Sequence, residues 1–224
     1  MPNKRHSYTV ITSLMVLLAC GAASFIAPAQ SFDSGLFSQE TLPESSSNDT
    51  CEIQTTDVLY PYTQLKASQF HQTEMTELPP ISQTVQVVCS APVASLLIHV
   101  DSDVQAASTM GHDPTHFGLG FVNGQGRLGH YRVKLTDARV NGQQTQLYQT
   151  NDLTQVGRAL AELWLQSSVY QGWSRDGLLP ESGEQYSVTM TVQPYLNSLK
   201  ETNGPLVSGA DLNGELVLSF PFSI

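Results

Sequence analysis

Apolar residues fall on every second position at several places along the chain, and the clearest run is "GELVLSFPFSI". There Leu216, Leu218, Phe220, Phe222 and Ile224 share one parity, while Glu215, Ser219 and Ser223 take most of the other. A period of two predicts a strand with one dry face and one wet face. No later strand follows in the sequence, so the pattern predicts an edge that another element must cover. Pro221 lacks a backbone donor and is read among the outward positions, where it would limit pairing on one side.

The same alternation recurs upstream. "EIQTTDVLYPY" predicts a short strand stopped by Pro61, and "ISQTVQVVC" places Val85 and Val87 on one face. "VASLLIHVDSD" is a continuous apolar run suited to a central strand. Asn123-Gly124 and Asn141-Gly142 are hairpin-turn signals flanked by strand formers, and "QYSVTMTVQPYL" alternates through Tyr186, Val188, Met190 and Val192. One segment differs. In "DLTQVGRALAELWLQ", Leu153, Val156, Leu160 and Leu163 recur at helical spacing behind an Asp152/Gln155 capping box, which predicts one short helix against the sandwich.

The beginning of the chain is read as a targeting segment. Lys4 and Arg5 precede an apolar stretch that ends in Ala27-Pro28-Ala29, a small-x-small cleavage pattern. Cleavage there makes residues 1–29 a signal peptide and Gln30 the first mature residue. "LLAC" at Leu17 to Cys20 also fits a lipobox, so lipid attachment at Cys20 is the competing outcome, with a retained anchor as a third. Residues 30–50 are rich in Ser, Asp and Glu and read as a flexible arm, which leaves 51–224 as the folded domain.

Export changes the reading of the cysteines. Apart from Cys20 only Cys51 and Cys89 remain, and in an oxidising compartment an isolated pair is most simply a disulfide; two free buried thiols are the alternative. Cleavage removes two of the ten basic residues and none of the twenty acidic ones, leaving a strongly acidic chain. Nucleic acid and anionic membrane surfaces are poor partners for it. The length suits one β-sandwich or a sandwich with a decoration, few charges with many Thr, Ser, Gln and Val fit a mainly β chain, and the repeated turns argue for antiparallel pairing.

Taken together, "VVCSAPVASLLIHVDSD", "FGLGFVNGQGRLGHYRVKL", "VTMTVQPYL" and "NGELVLSFPF" resemble a pilin-like, fimbrial-associated periplasmic family of unknown function, whose members are often encoded beside chaperone-usher genes in Gram-negative bacteria. The resemblance covers about Cys51 to Ile224. It implies an immunoglobulin-like sandwich, a disulfide near the N-terminus, location in the periplasm or on the cell surface, and a structural or adhesion role in fimbriae. A periplasmic chaperone and other fimbrial subunits are the implied partners. "ESSSNDTC" lacks the Gly-x-Ile-x-Pro lead usual in that family, and Ser223 stands where an aromatic residue is common. By the same resemblance, Leu216, Leu218, Phe220 and Phe222 line a groove that a strand from another chain fills. A complete sandwich with that edge already covered is the competing arrangement.

Catalytic patterns are absent from the sequence: there is no G-x-S-x-G, H-E-x-x-H, P-loop or dinucleotide fingerprint, and no cofactor is expected. Ser174 in "GWSRDG" reads as a turn residue. His112, Asp113, His116 and His130 offer metal-ligand chemistry, although "GHDP" also suits a surface turn. Asp101 to Asp103, and Asp211 with Asn213 and Glu215, have calcium-type oxygens without a full loop spacing. Trp164, Tyr170 and Trp173 form either a sugar platform or a small core under the helix. The function class that competes with a fimbrial subunit is a free or lipid-anchored periplasmic module binding a small ligand or sugar.

Overall fold

Alternating strands dominate the structure, as the period-two pattern predicts. The computed structural model describes residues 50–54, 62 and 64–224. The expected signal segment, Cys20 and the arm up to residue 49 lie outside the described residues, as do positions 55–61 after the first cysteine. In chain order the strands are β1 (Cys51–Ile53), β2 (Thr76–Glu77), β3 (Ile81–Val93), β4 (Ser95–Asp103), β5 (Phe117–Gly118), β6 (Phe121–Val122), β7 (Gly126–Arg127), β8 (Gly129–Val140), β9 (Gln143–Gln144), β10 (Gln146–Thr150), β11 (Leu163–Trp164), β12 (Tyr170–Ser174), β13 (Gly183–Leu196), β14 (Leu216–Ser219) and β15 (Phe222–Ser223).

The first sheet has the order β1-β3-β13-β8-β11, with β2, β5 and β9 on its flanks. The second has the order β10-β12-β4-β14, with β15 also paired to β4. Every pairing is antiparallel. A single residue, Ala94, separates β3 from β4, so the chain passes from one layer to the other almost without a loop. The order β1-β3-β13-β8 in one layer, with β4-β14 in the other, is the A-B-E-D and C-F order of an immunoglobulin-type sandwich.

One core lies between the layers. Val85 and Val87 of β3, Val133 and Leu135 of β8, and Tyr186, Val188 and Met190 of β13 face Leu96, Ile98 and Val100 of β4 and Trp173 of β12. Trp173 is fully enclosed, meets Tyr186 edge-on at 5.4 Å, and donates its indole N–H to the Ser187 carbonyl of the other sheet at 3.1 Å. Burying such rings supplies large apolar area, and the indole donor is satisfied across the core. Asn141 and Gly142 both have positive φ, 49° and 75°, which is the two-residue hairpin turn that joins β8 to β9.

The expected helix over "DLTQVGRALAELWLQ" does not form. Among the described residues the helical pieces are three short 3-10 turns, Ala67–Gln69, Ala106–Ser108 and Leu199–Thr202. Asp152 does begin a helix-like turn, accepting the Thr154 amide and the Gln155 side chain. Cross-strand pairing then takes over: Leu160 exchanges backbone bonds with Leu147, and Leu163 and Trp164 pair with β8. Gly157 packs so close to the Gln149 carbonyl that a Cβ would lie 2.0 Å from its oxygen. Leu153 and Leu160 stay exposed while Leu163 enters the core, so the four residues do not form one apolar stripe.

Candidate functional site

The feature with the clearest functional potential is the outer edge of β14 and β15. β4 pairs with both strands on one side, through Leu218↔Val100 and Ser219↔His99, then Phe222↔Leu96 and Ser223↔Ser95. Among the described residues no strand pairs with the other side. Leu97 N–H donates to the Pro221 carbonyl, and Ala94 N–H to that of Ser223. Antiparallel ladders alternate the side to which successive residues present their N–H and C=O groups. Pro221 and Ser223 therefore address β4, and Leu218, Phe220 and Phe222 present their backbone groups to the open edge.

The side chains of those residues turn the other way, into the core. Phe220 is 3% exposed, and Leu216, Leu218 and Phe222 are half-buried against the same core. The expected apolar face of Leu216, Leu218, Phe220 and Phe222 is thus present, and it lies next to an unpaired ladder. The donor that Pro221 lacks falls on the β4 side, so the limit it sets on pairing lies there and the outer row is not interrupted. One expectation needs correction. Ser219 shares its face with the exposed Asp101 but is itself buried there, donating to the Asp101 carboxylate at 2.7 Å.

The disulfide lies at an edge of the first sheet. Cys51 is directly opposite Cys89 in the β1–β3 ladder, and the two are bridged. Ser90 N–H donates to the Thr50 carbonyl and Gln54 N–H to that of Gln86. By alternation the cysteines occupy a non-hydrogen-bonded pair, where opposing side chains come closest.

The remaining sequence candidates separate. His116 and His130 are brought together, but as stacked rings 3.9 Å apart, with Tyr195 stacked on the far face of His130 at 5.1 Å. Asp113 is engaged by the Thr115 amide and hydroxyl, which hold its carboxyl below the usual carboxylate range, and His116 lies 3.5 Å from it. His112 is exposed. Among the described residues no three His, Cys, Asp or Glu side chains converge on one point as metal ligands would. Asp103 accepts the Gln105 and Gly118 amides, and Asp211 accepts the Gln64 amide. These carboxylates tie loops to strands. Ser174 is buried and bonds the Leu179 carbonyl and the Gly177 amide, as a turn residue does.

The aromatic trio does not form a platform. Trp173 is in the core, Tyr170 stacks on His99 of the second sheet, and Trp164 lies on the first. Trp164 instead meets Arg132, whose guanidinium carbon is 3.9 Å from the ring centre. No sequence period signals that contact, since it depends on the register of β11 against β8.

Burial lowers the pKa of His130 to about 4, with further lowering from His116 and Arg132 and an opposing pull from Asp113. Between its ordinary 6.5 and about 4 the unfolded chain binds a proton that the native one does not. Stability is therefore expected to fall as pH drops through that window and to level off below it. In urea unfolding followed against pH, His130→Gln should flatten this slope. An unchanged slope would contradict the assignment.

No protein-family model, no curated protein and no solved structure matches the chain. Among the described residues no helix is long and apolar enough to cross a membrane.

Proposed function

We propose that this chain is an exported, non-enzymatic subunit of a surface fibre, completed along its β14–β15 edge by a strand from another chain. A periplasmic chaperone supplies that strand first, and a neighbouring subunit supplies it in the fibre. The observation that carries this reading is the register of the last strand. It points the backbone groups of Leu218, Phe220 and Phe222 outward and their side chains inward. An added strand gains a ladder of main-chain bonds there, and its alternate side chains close over Leu216, Leu218 and Phe222. Left uncovered, such an edge invites uncontrolled pairing. The Cys51–Cys89 bridge is compatible with an oxidising compartment.

Co-expression with a periplasmic chaperone tests the proposal. The tagged protein is expected to co-purify with the chaperone, and Leu218→Pro, which removes one outward donor without adding charge, should weaken capture at least tenfold. Full yield without chaperone, together with no co-purification, would overturn it.

A further inference from the structure

The outer surface of the first sheet carries a second constellation. Along β8, Tyr131, Val133 and Leu135 enter the core, so His130, Arg132 and Lys134 point outward by alternation. Register places Tyr195 of β13 beside His130 and Trp164 of β11 beside Lys134. His116, next to β5, stacks on His130. Arg132 thus lies between an imidazole pair and an indole.

The charges around it are unequally matched. Lys134 is paired with Glu162 at 2.7 Å, and Asp113 is engaged by Thr115 and His116. Arg132 makes no hydrogen bond or ion pair with a described residue, and its Nε is buried without an acceptor. The Arg132 guanidinium carbon lies over the indole of Trp164, 3.9 Å from its centre, and the planar N–H fork of an arginine matches a carboxylate. The whole chain has a formal charge of −10, which disfavours polyanions but tolerates a ligand with one negative charge.

We propose that this face binds a carboxylate-bearing saccharide, its carboxylate on Arg132 and its ring against the flanking aromatic side chains of His116 and Trp164. Imidazole and indole faces offer the flat apolar contact that sugar C–H faces use, and neutral His130 keeps the centre of the stack free of charge. The inference does not rest on strand addition, because the two features lie on different sheets.

The test is a two-dimensional NMR titration of the purified mature protein with methyl glucuronide, methyl glucoside, acetate and inorganic phosphate. Methyl glucuronide is expected to shift the Trp164 indole and the His116 and His130 ring signals saturably. Methyl glucoside should bind at least tenfold more weakly. Arg132→Gln should abolish the shifts with an unchanged melting curve. If that variant does not fold, Arg132→Lys, which keeps the charge and loses the fork, should weaken binding at least fivefold. No saturable shift with methyl glucuronide, or retained affinity in the folded variant, would overturn the proposal. Acetate or phosphate binding as tightly as the glucuronide would show a general anion site and overturn the saccharide assignment.

Discussion

Phe220→Asp is expected to leave no stably folded protein. The ring is 3% exposed and joins the core from the edge strand, between the partly buried Leu218 and Phe222. Truncating a buried phenylalanine costs about 3–5 kcal/mol. A carboxylate in the same place adds the penalty of desolvating an unpaired charge. Against a net stability of about 5–15 kcal/mol, the sum removes most or all of the margin. Phe220→Leu keeps the apolar character and should cost about 1–2 kcal/mol in urea unfolding. Equal effects of the two substitutions would show that Phe220 is not buried as described. Ser219→Asp, on the opposite parity, is also expected to destabilise, because it sets a second carboxylate against Asp101, and the loss should ease in acid.

Removing the Cys51–Cys89 bridge should have the next largest effect. The cysteines are 38 positions apart, and closing a loop of that length restricts the unfolded chain by about 4 kcal/mol in the chain-entropy model. The bridge also acts locally. β1 has only three residues, Cys51–Ile53, paired to β3, so the bridge is the principal covalent hold on the outermost strand of the first sheet. The double substitution Cys51→Ser, Cys89→Ser is expected to lower the urea midpoint and to expose β1 amides to rapid exchange. An unchanged midpoint would mean that the bridge adds no constraint to the fold.

What could be read in the sequence was whatever depends on a local period. Val85, Val87, Tyr186, Val188 and Met190 alternate and are buried as that alternation requires. Asn141-Gly142 adopts the positive φ values for which those two residues are suited. The segment after Asp152 misleads because its capping signals are real but govern a single turn. Beyond that turn, pairing with Leu147 and β8 outweighs helical spacing. Ser219 misleads for a related reason: parity distinguishes two faces but does not say that every position of the polar one is solvated, and Ser219 is covered there beside Asp101. The contacts of Trp164 with Arg132 and of Tyr195 with His130 join positions far apart in the chain through strand register. Nothing local encodes them. The direction of Pro221 likewise follows only from which ladder bond its carbonyl accepts.

Amide hydrogen exchange at Leu218, Phe220 and Phe222 tests most directly whether the β14–β15 edge is open to a strand. It is best measured on the purified protein alone, and again with a synthetic peptide alternating Val and Thr or with a periplasmic chaperone. Strand addition predicts fast exchange at these three amides in the free protein, and strong protection of the same three once the strand is added, with a rise in Tm because the strand binds only the folded state. Slow exchange at all three in the free protein, unaltered by any added strand, would mean that another part of the chain already covers this edge, and would contradict the account.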